Sequence, residues 1–276
     1  PSESTASMNW SQQLEHALDT SFFLVFVSFA AGAFFLFLER DRVPEDYRAA
    51  LRVSTVYLAI AAVNYFYMKD VYEPGNTWFP TSYRYVDWIL TTPLMLVKFP
   101  LILGIGRKGV PFMVRLVVLD LVMIGTGFIG EVTPGVPLVH YGMFLLGCVA
   151  WLLILVILVQ ALGDLPSSIS DATRKAVRLM SMFLVIGWAV YPLGYLTPLL
   201  GLPFESREIV YNVADLGNKL GLCLVIYAAA KRTAWEREEQ EEAEAMLAEE
   251  DEEPPAPSSY PPAGGPGGAW MPDPAE

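Results

Sequence analysis

Seven apolar stretches, each close to the ~20 residues that a membrane-spanning helix needs, dominate this chain. They run from Ser21 to Leu38, Ala49 to Met68, Tyr83 to Gly104, Val110 to Ile129, Pro137 to Leu162, Ala176 to Leu200 and Ile209 to Ala230. Hydrocarbon offers no partner to a backbone N–H or C=O, so each stretch must satisfy its hydrogen bonds within itself, as a helix. The connections are short, which favours antiparallel neighbours in one bundle. The expected fold class is an all-α membrane protein, a seven-transmembrane-helix bundle. Composition agrees: 54% of the 276 residues are hydrophobic and 13% aromatic, too apolar for a soluble domain of this length.

Lys and Arg in short loops favour the cytoplasmic side. They follow the first stretch (Arg40, Arg42, Arg48), the third (Arg107, Lys108), the fifth (Arg174, Lys175, Arg178) and the seventh (Lys231, Arg232, Arg237), whereas the alternate loops carry Lys69 and Arg207. The N-terminus is therefore predicted outside and the C-terminus in the cytoplasm. The chain divides into an extracellular segment over 1–20, a seven-helix domain over 21–232 and a cytoplasmic tail over 233–276. Through Arg232 there are 17 basic and 17 acidic residues, and beyond it one basic and 13 acidic, so the net charge of -12 belongs to the tail. No nucleic-acid partner is implied. The acidic run Glu236 to Glu253 and the Pro-, Gly- and Ser-rich end have little to bury, which points to a solvated, disordered tail. A docking segment for another protein is the alternative, and the sequence leaves both open.

Cys148 and Cys223 fall in apolar segments, where free cysteine behaves as a small hydrophobe. His16 and His140 fall near segment ends without ligand-like partners and read as surface residues, so neither a disulfide nor a metal site is expected. Pro1 begins a Ser- and Glu-rich start rather than a basic-then-apolar leader, so no signal peptide is expected in these residues, with Met8 or processing of a longer precursor accounting for the start.

Lys219 stands at bilayer depth in the seventh stretch, one helical turn after Asp215. A charged side chain there costs ~2.5–3.5 kcal/mol even on lenient insertion scales and marks a functional site by default. Buried lysine is also the side chain that forms Schiff bases with carbonyl compounds. In the third stretch Arg84-Tyr85-Val86-Asp87-Trp88 precedes Thr91-Thr92-Pro93. At ~100° per residue, Thr91 lies about 40° from Asp87, Lys98 about 20° and Arg84 about 60°, so the four share one face. Lys98 lies about 16 Å further toward the cytoplasm at ~1.5 Å per residue. A polar stripe of this kind has the form of a proton path.

Together with Trp188-Ala189-Val190-Tyr191-Pro192 in the sixth stretch, these motifs resemble the microbial (type I) rhodopsins, seven-helix proteins that carry retinal on a lysine. The resemblance runs in register from Ser21 to Ala230. It implies all-trans retinal on Lys219 as a protonated Schiff base, Asp87 and Asp215 as its counter-ions with Arg84 close by, and light-driven passage of the proton to Asp87. It further implies a pocket built from Trp88, Thr92, Met95, Met123, Gly127, Trp151, Trp188, Tyr191, Pro192 and Tyr195, each of which taken singly reads as core packing. Phe144 stands where carotenoid-binding relatives carry glycine, which blocks a carotenoid antenna. Asp120 reads as a carboxyl hydrogen-bonded within the bundle or as a relay step. Glu131, Glu205 and Glu208 read as exposed loop carboxylates or as aids to proton exit.

Asp87 with Thr91 resembles outward proton pumps rather than chloride pumps, which lack the acceptor carboxylate, or sodium pumps, which carry an Asn-Asp-Gln arrangement. Lys98 at the donor place, within Leu96-Val97-Lys98-Phe99-Pro100, and Ile209-Val210-Tyr211-Asn212 resemble the lysine-donor, Exiguobacterium-type branch of the proteorhodopsin-like bacterial pumps. The implied function is light-driven outward proton transport across the lipid bilayer of a bacterial inner membrane, by a transporter rather than an enzyme. Cyclic homo-oligomers are common among such relatives. On this reading Lys98 takes a proton from the cytoplasm after light and returns it to the Schiff base, with a lysine snorkelling to the interface as the alternative. Met95, apolar where blue-absorbing relatives carry glutamine, implies absorption in the green. Asn64, in Asn64-Tyr65-Phe66, replaces the histidine usual beside the acceptor; it can hydrogen-bond Asp87 but cannot share a proton. Two rival classes remain. One is a photosensor signalling through a partner; the other is a seven-helix transporter or receptor without retinal, in which Lys219 is an ion-pair partner.

Overall fold

A computed structural model describes residues 9–75, 81–165 and 169–252. Seven helices of spanning length follow one another: α1 (Trp10–Glu39), α2 (Glu45–Val71), α3 (Thr81–Ile102), α4 (Val110–Glu131), α5 (Pro137–Gly163), α6 (Asp171–Tyr195) and α7 (Phe204–Ala248). No strand occurs among the described residues. Each helix packs on the next and α7 returns against α1, which closes a ring, while α3 also meets α6 across it. The left-handed glycines Gly104 (φ 61°) and Gly106 (φ 50°) turn the chain between α3 and α4, a backbone region that costs glycine nothing. Phe34, Val63, Leu145 and Val159 are exposed on the outside, whereas Arg84, Asp87, Lys98, Asp120, Asp215 and Lys219 are buried. A bundle in lipid requires this arrangement, because an ionisable group finds partners only in the interior.

The two largest departures from the apolar stretches lie at the ends of the bundle. Helix α1 begins at Trp10, inside the segment assigned to 1–20. Asn9 caps it reciprocally: its side chain accepts the Gln12 N–H at 2.9 Å and the Gln12 side chain accepts the Asn9 N–H at 3.0 Å, a box that satisfies two otherwise orphaned donors. Leu18 in this added portion is fully buried. At the other end, the acidic run expected to be disordered is helical as far as Glu252. Its Glu, Ala, Arg and Gln residues are strong helix formers, and Arg232 pairs with Glu236 one turn on at 2.7 Å. The described residues fall into two units that divide after Glu236. The described side chains of the second unit are exposed. The Pro- and Gly-rich end lies outside the described residues.

Two of the helices that build the site contain a π-turn, Phe183–Gly187 in α6 and Gly217–Gly221 in α7, and the two turns pack on one another. Gly187 is what allows this, since a Cβ there would collide with the Asn218 side chain. π-turns release carbonyls from the regular i→i+4 ladder and recur at functional sites. The second of them contains Lys219.

Candidate functional site

Lys219 Nζ donates to Asp87 Oδ2 on α3 and, at 2.9 Å, to Asp215 Oδ2 one turn earlier on α7. All three side chains are buried. Asp215 is held by three further donors, Tyr65 OH at 2.8 Å, Tyr191 OH at 2.5 Å and Trp88 Nε1 at 3.2 Å. Asp87 is held by fewer. Its Oδ1 is buried without a hydrogen-bond partner among the described residues, and the Thr91 hydroxyl donates to the Asp87 backbone carbonyl at 2.8 Å rather than to the carboxylate. The two carboxylates are therefore unlike: the acceptor sites of Asp215 are taken up, and Asp87 keeps an oxygen open to a proton.

On the N-terminal side of Asp87 along α3, Arg84 does not pair with Asp87. Its Nη2 and Nε donate to Glu208 Oε2 at 2.7 and 3.0 Å, Nη2 also reaches Asn212 Oδ1 at 2.8 Å, and Nη1 reaches Tyr65 OH at 3.1 Å. The link from Arg84 to Asp215 thus runs through the Tyr65 hydroxyl. Glu208, expected as an exposed loop carboxylate, is buried. The reason is that α7 starts at Phe204, which places Glu208 two turns before Asp215 on nearly the same face, a signal the sequence carried. Glu131 is likewise not free: Arg207 bridges it at 3.1 Å and Glu208 at 2.9 Å, and Tyr85 OH donates to it at 3.0 Å. Glu205 is half-buried.

Asn64 does not hydrogen-bond Asp87. Its amide turns back to its own helix and donates to the Ile60 carbonyl at 3.1 Å, and the α2 residue that reaches the centre is its neighbour Tyr65. His140 is also not a bare surface residue: its Nδ1 lies 2.7 Å from the Gly130 carbonyl and 3.0 Å from Tyr195 OH. On the C-terminal side of Asp87, Lys98 is fully buried and donates to Tyr57 OH at 2.7 Å, so it does not snorkel to the interface. Asp120 is buried and accepts the Thr92 hydroxyl at 2.9 Å.

Next to this centre lies a cavity of about 790 Å³, its opening to solvent included. Trp88, Thr92, Met95, Met123, Gly127, Trp151, Trp188, Tyr191, Pro192 and Tyr195 all line it, with Asp215 and Lys219. The wall also includes Tyr85, Ile124, Phe144, Gly147, Cys148, Tyr211 and Asn218, which sequence reasoning does not assign to it. Gly127 makes room, since a Cβ there would stand 3.1 Å from Tyr85 OH. The α6 π-turn contributes through Leu184, whose carbonyl accepts Trp151 Nε1 at 3.1 Å. Trp88 is fixed edge-on to Tyr191 and Tyr85, with centroids 4.9 and 5.0 Å apart, a favourable aromatic geometry.

The geometry is that of a seven-helix membrane bundle with a buried lysine set between two carboxylates, beside an aromatic-walled cavity. The chain belongs to the bacteriorhodopsin-like protein family, whose model matches residues 16–233. It is 35% identical over 226 residues to the blue-light absorbing proteorhodopsin of Gamma-proteobacterium Hot 75m4, covering 79% of this chain and 87% of that protein. The crystal structure of Exiguobacterium sibiricum rhodopsin is similar with a TM-score of 0.72 at 36% identity, covering 79% of this chain and 97% of that one. Xanthorhodopsin, described as a light-driven ion pump with dual chromophore, is similar with a TM-score of 0.74 at 27% identity, covering 82% and 96%. The protein is a multi-pass protein of the cell membrane. Membership implies a retinal chromophore, and the site fits one. The cavity wall suits a long apolar chain, and the lysine amine beside it suits an aldehyde.

Proposed function

We propose that this chain is a light-driven outward proton pump, a transporter rather than an enzyme. Lys219 would hold all-trans retinal as a protonated Schiff base, and Trp88, Trp188, Tyr191 and the other wall residues would confine it. The observation that carries this reading is the Lys219 nitrogen between Asp215, whose acceptor sites are occupied, and Asp87, which has an open oxygen. The likeness to xanthorhodopsin supports it. When bound, the chromophore absorbs visible light and isomerises.

The remaining steps belong to the chain's own residues. In the dark Asp87 and Asp215 offset the positive charge on the Lys219 nitrogen. Asp87 is already hydrogen-bonded to that nitrogen, so it accepts the proton with little movement, the condition for efficient acid–base transfer. Orientation from the loop charges puts the N-terminal end of α3 outside, so Arg84, Glu208, Arg207 and Glu131 lead from the centre toward the outer surface. Lys98, on the inner side, takes a proton from the cytoplasm and returns it to Lys219 Nζ. Loss toward the outside and return from the inside make the transport outward. Phe144 stacks on Tyr195 with centroids 4.6 Å apart and fills the wall that a second pigment would need to reach.

Cells that make the protein with retinal, suspended in unbuffered salt, should acidify the medium on illumination, and a protonophore should abolish the signal. Alkalinisation, or no signal from a correctly coloured protein, overturns the proposal. Met95 in the cavity wall presents no side-chain dipole of amide strength to the chromophore, so the absorption band should lie in the green. Met95→Gln should move it toward the blue. An unmoved band would show that this position does not tune the colour.

A further inference from the structure

Lys98 has no salt-bridge partner among the described residues, yet it is not loose. Its hydrogen-bond partner there is the hydroxyl of Tyr57 on α2, at 2.7 Å, and Nζ lies 4.5 Å from the centre of the same ring. That hydroxyl also faces α7. It stands 2.9 Å from the backbone carbonyl of Lys219 and 2.6 Å from Sγ of Cys223. Tyr57, Lys98 and Cys223 are all fully buried. A phenol has one proton to donate, so with Lys98 donating to it, Tyr57 donates onward to the Lys219 carbonyl or to the Cys223 sulfur, and in the first case the Cys223 thiol can itself donate to the hydroxyl. The Lys219 carbonyl belongs to the π-turn, where the Leu222 N–H is directed at it.

We propose that Tyr57 is a positioning residue for the return of the proton: it holds the Lys98 amine on the inner side of the chromophore lysine and ties that amine to the backbone of Lys219. This rests on the reading of Lys98 as the inner proton donor. An untethered lysine, with its long flexible stem, would carry its charge to the bilayer surface; a buried tyrosine is short and stiff, and it fixes where the amine points. Its two contacts on α7 add a second property. When Lys219 is displaced, the hydroxyl can exchange the Lys219 carbonyl for Cys223 Sγ while Lys98 keeps its partner. The proton inventory is simple. Lys98 Nζ gains a proton from the cytoplasmic side and loses it to Lys219 Nζ, and Tyr57 retains its own.

Tyr57→Phe removes the hydroxyl and keeps the ring. In the retinal-loaded protein, the flash-induced absorbance change that reports return of the proton to Lys219 should recover about tenfold more slowly, less than the ~10²–10⁴ contributed by an entire acid–base group. The dark absorption band and the rate of proton loss should stay as in the parent. In the double variant with Lys98→Ala the slowing should be no greater than in Lys98→Ala alone, because the two residues act as one unit. A readout independent of turnover is nuclear magnetic resonance of protein carrying nitrogen-15 lysine and tyrosine labelled with carbon-13 at Cζ. One lysine Nζ signal, assigned by its loss in Lys98→Ala, should show contact with a tyrosine Cζ, and Tyr57→Phe should remove that contact and shift the signal. No such contact in the parent protein, an unmoved Lys98 signal in Tyr57→Phe, or additive slowing in the double variant overturns the proposal. Return at the parent rate in Lys98→Ala overturns instead the donor reading on which it rests.

Discussion

Lys219→Ala is expected to give a colourless protein. Among the described residues, the substitution removes the only amine that lies between Asp87 and Asp215, and with it the atom that would hold the chromophore. It also leaves two buried carboxylates facing each other without their common cation. Removing one partner of a buried ion pair typically costs ~3–5 kcal/mol, because the remaining charge is uncompensated. The variant should therefore lose its visible band completely when made with retinal and should denature more readily than the parent by about 3 kcal/mol. Visible spectroscopy of the purified variant, with a denaturant titration beside it, checks both. A retained visible band would remove Lys219 from its assigned role.

The sequence is most legible where hydrocarbon imposes a cost. Lys219, Asp215, Asp87 and Arg84 stand out because ionisable residues in apolar stretches need partners, and helical arithmetic alone places Lys98 on the Asp87 face. The ten aromatic, small and Met positions named for the pocket all line one cavity. That part comes from resemblance, since each residue alone reads as packing. The ends of the helices are less legible. Hydropathy locates the membrane-length portion of a helix but not its capped or solvated extension, so it misses the Asn9 box on α1 and the helical acidic run after Arg232.

Partners that depend on how neighbouring helices are rotated are not legible. Periodicity gives a residue's angle about its own axis and says nothing about the phase of the helix opposite. Asn64 and Tyr65 are adjacent in sequence, yet Tyr65 reaches Asp215 and Arg84 while Asn64 bonds within α2. The π-turn over Gly217–Gly221 adds to the difficulty, since one extra residue in a turn rotates everything after it by ~100°. This is where Cys223 and the Lys219 carbonyl meet Tyr57. Glu208 is different, because its spacing from Asp215 already puts it on the inward face; it reads as a loop residue only because the apolar stretch begins one residue later, at Ile209.

Asp87→Asn is expected to stop transport and to move the absorption band to the red. Asparagine has nearly the same shape as aspartate and can still accept a hydrogen bond from Lys219 Nζ, so the cavity and the attachment point should survive. What it lacks is the ability to take a proton from that nitrogen. Loss of a positioned acid–base group typically costs ~10²–10⁴ in rate, so light-driven acidification should fall below about 1% of the parent. The colour change follows from the same charge. An anion beside the Lys219 nitrogen stabilises positive charge localised there, which is the ground-state distribution, and removing it brings the excited state closer. Asp215, held by Tyr65, Tyr191 and Trp88 as well as by Lys219, remains to balance the lysine, so the variant should stay folded and coloured. Illumination of cells making this variant, alongside its spectrum at a pH where parental Asp87 is ionised, separates a lost acceptor from a lost fold. Transport at the parental level in a coloured Asp87→Asn protein would require a different acceptor, and with the acceptor sites of Asp215 already taken up no further carboxylate bonded to Lys219 is available for it among the described residues.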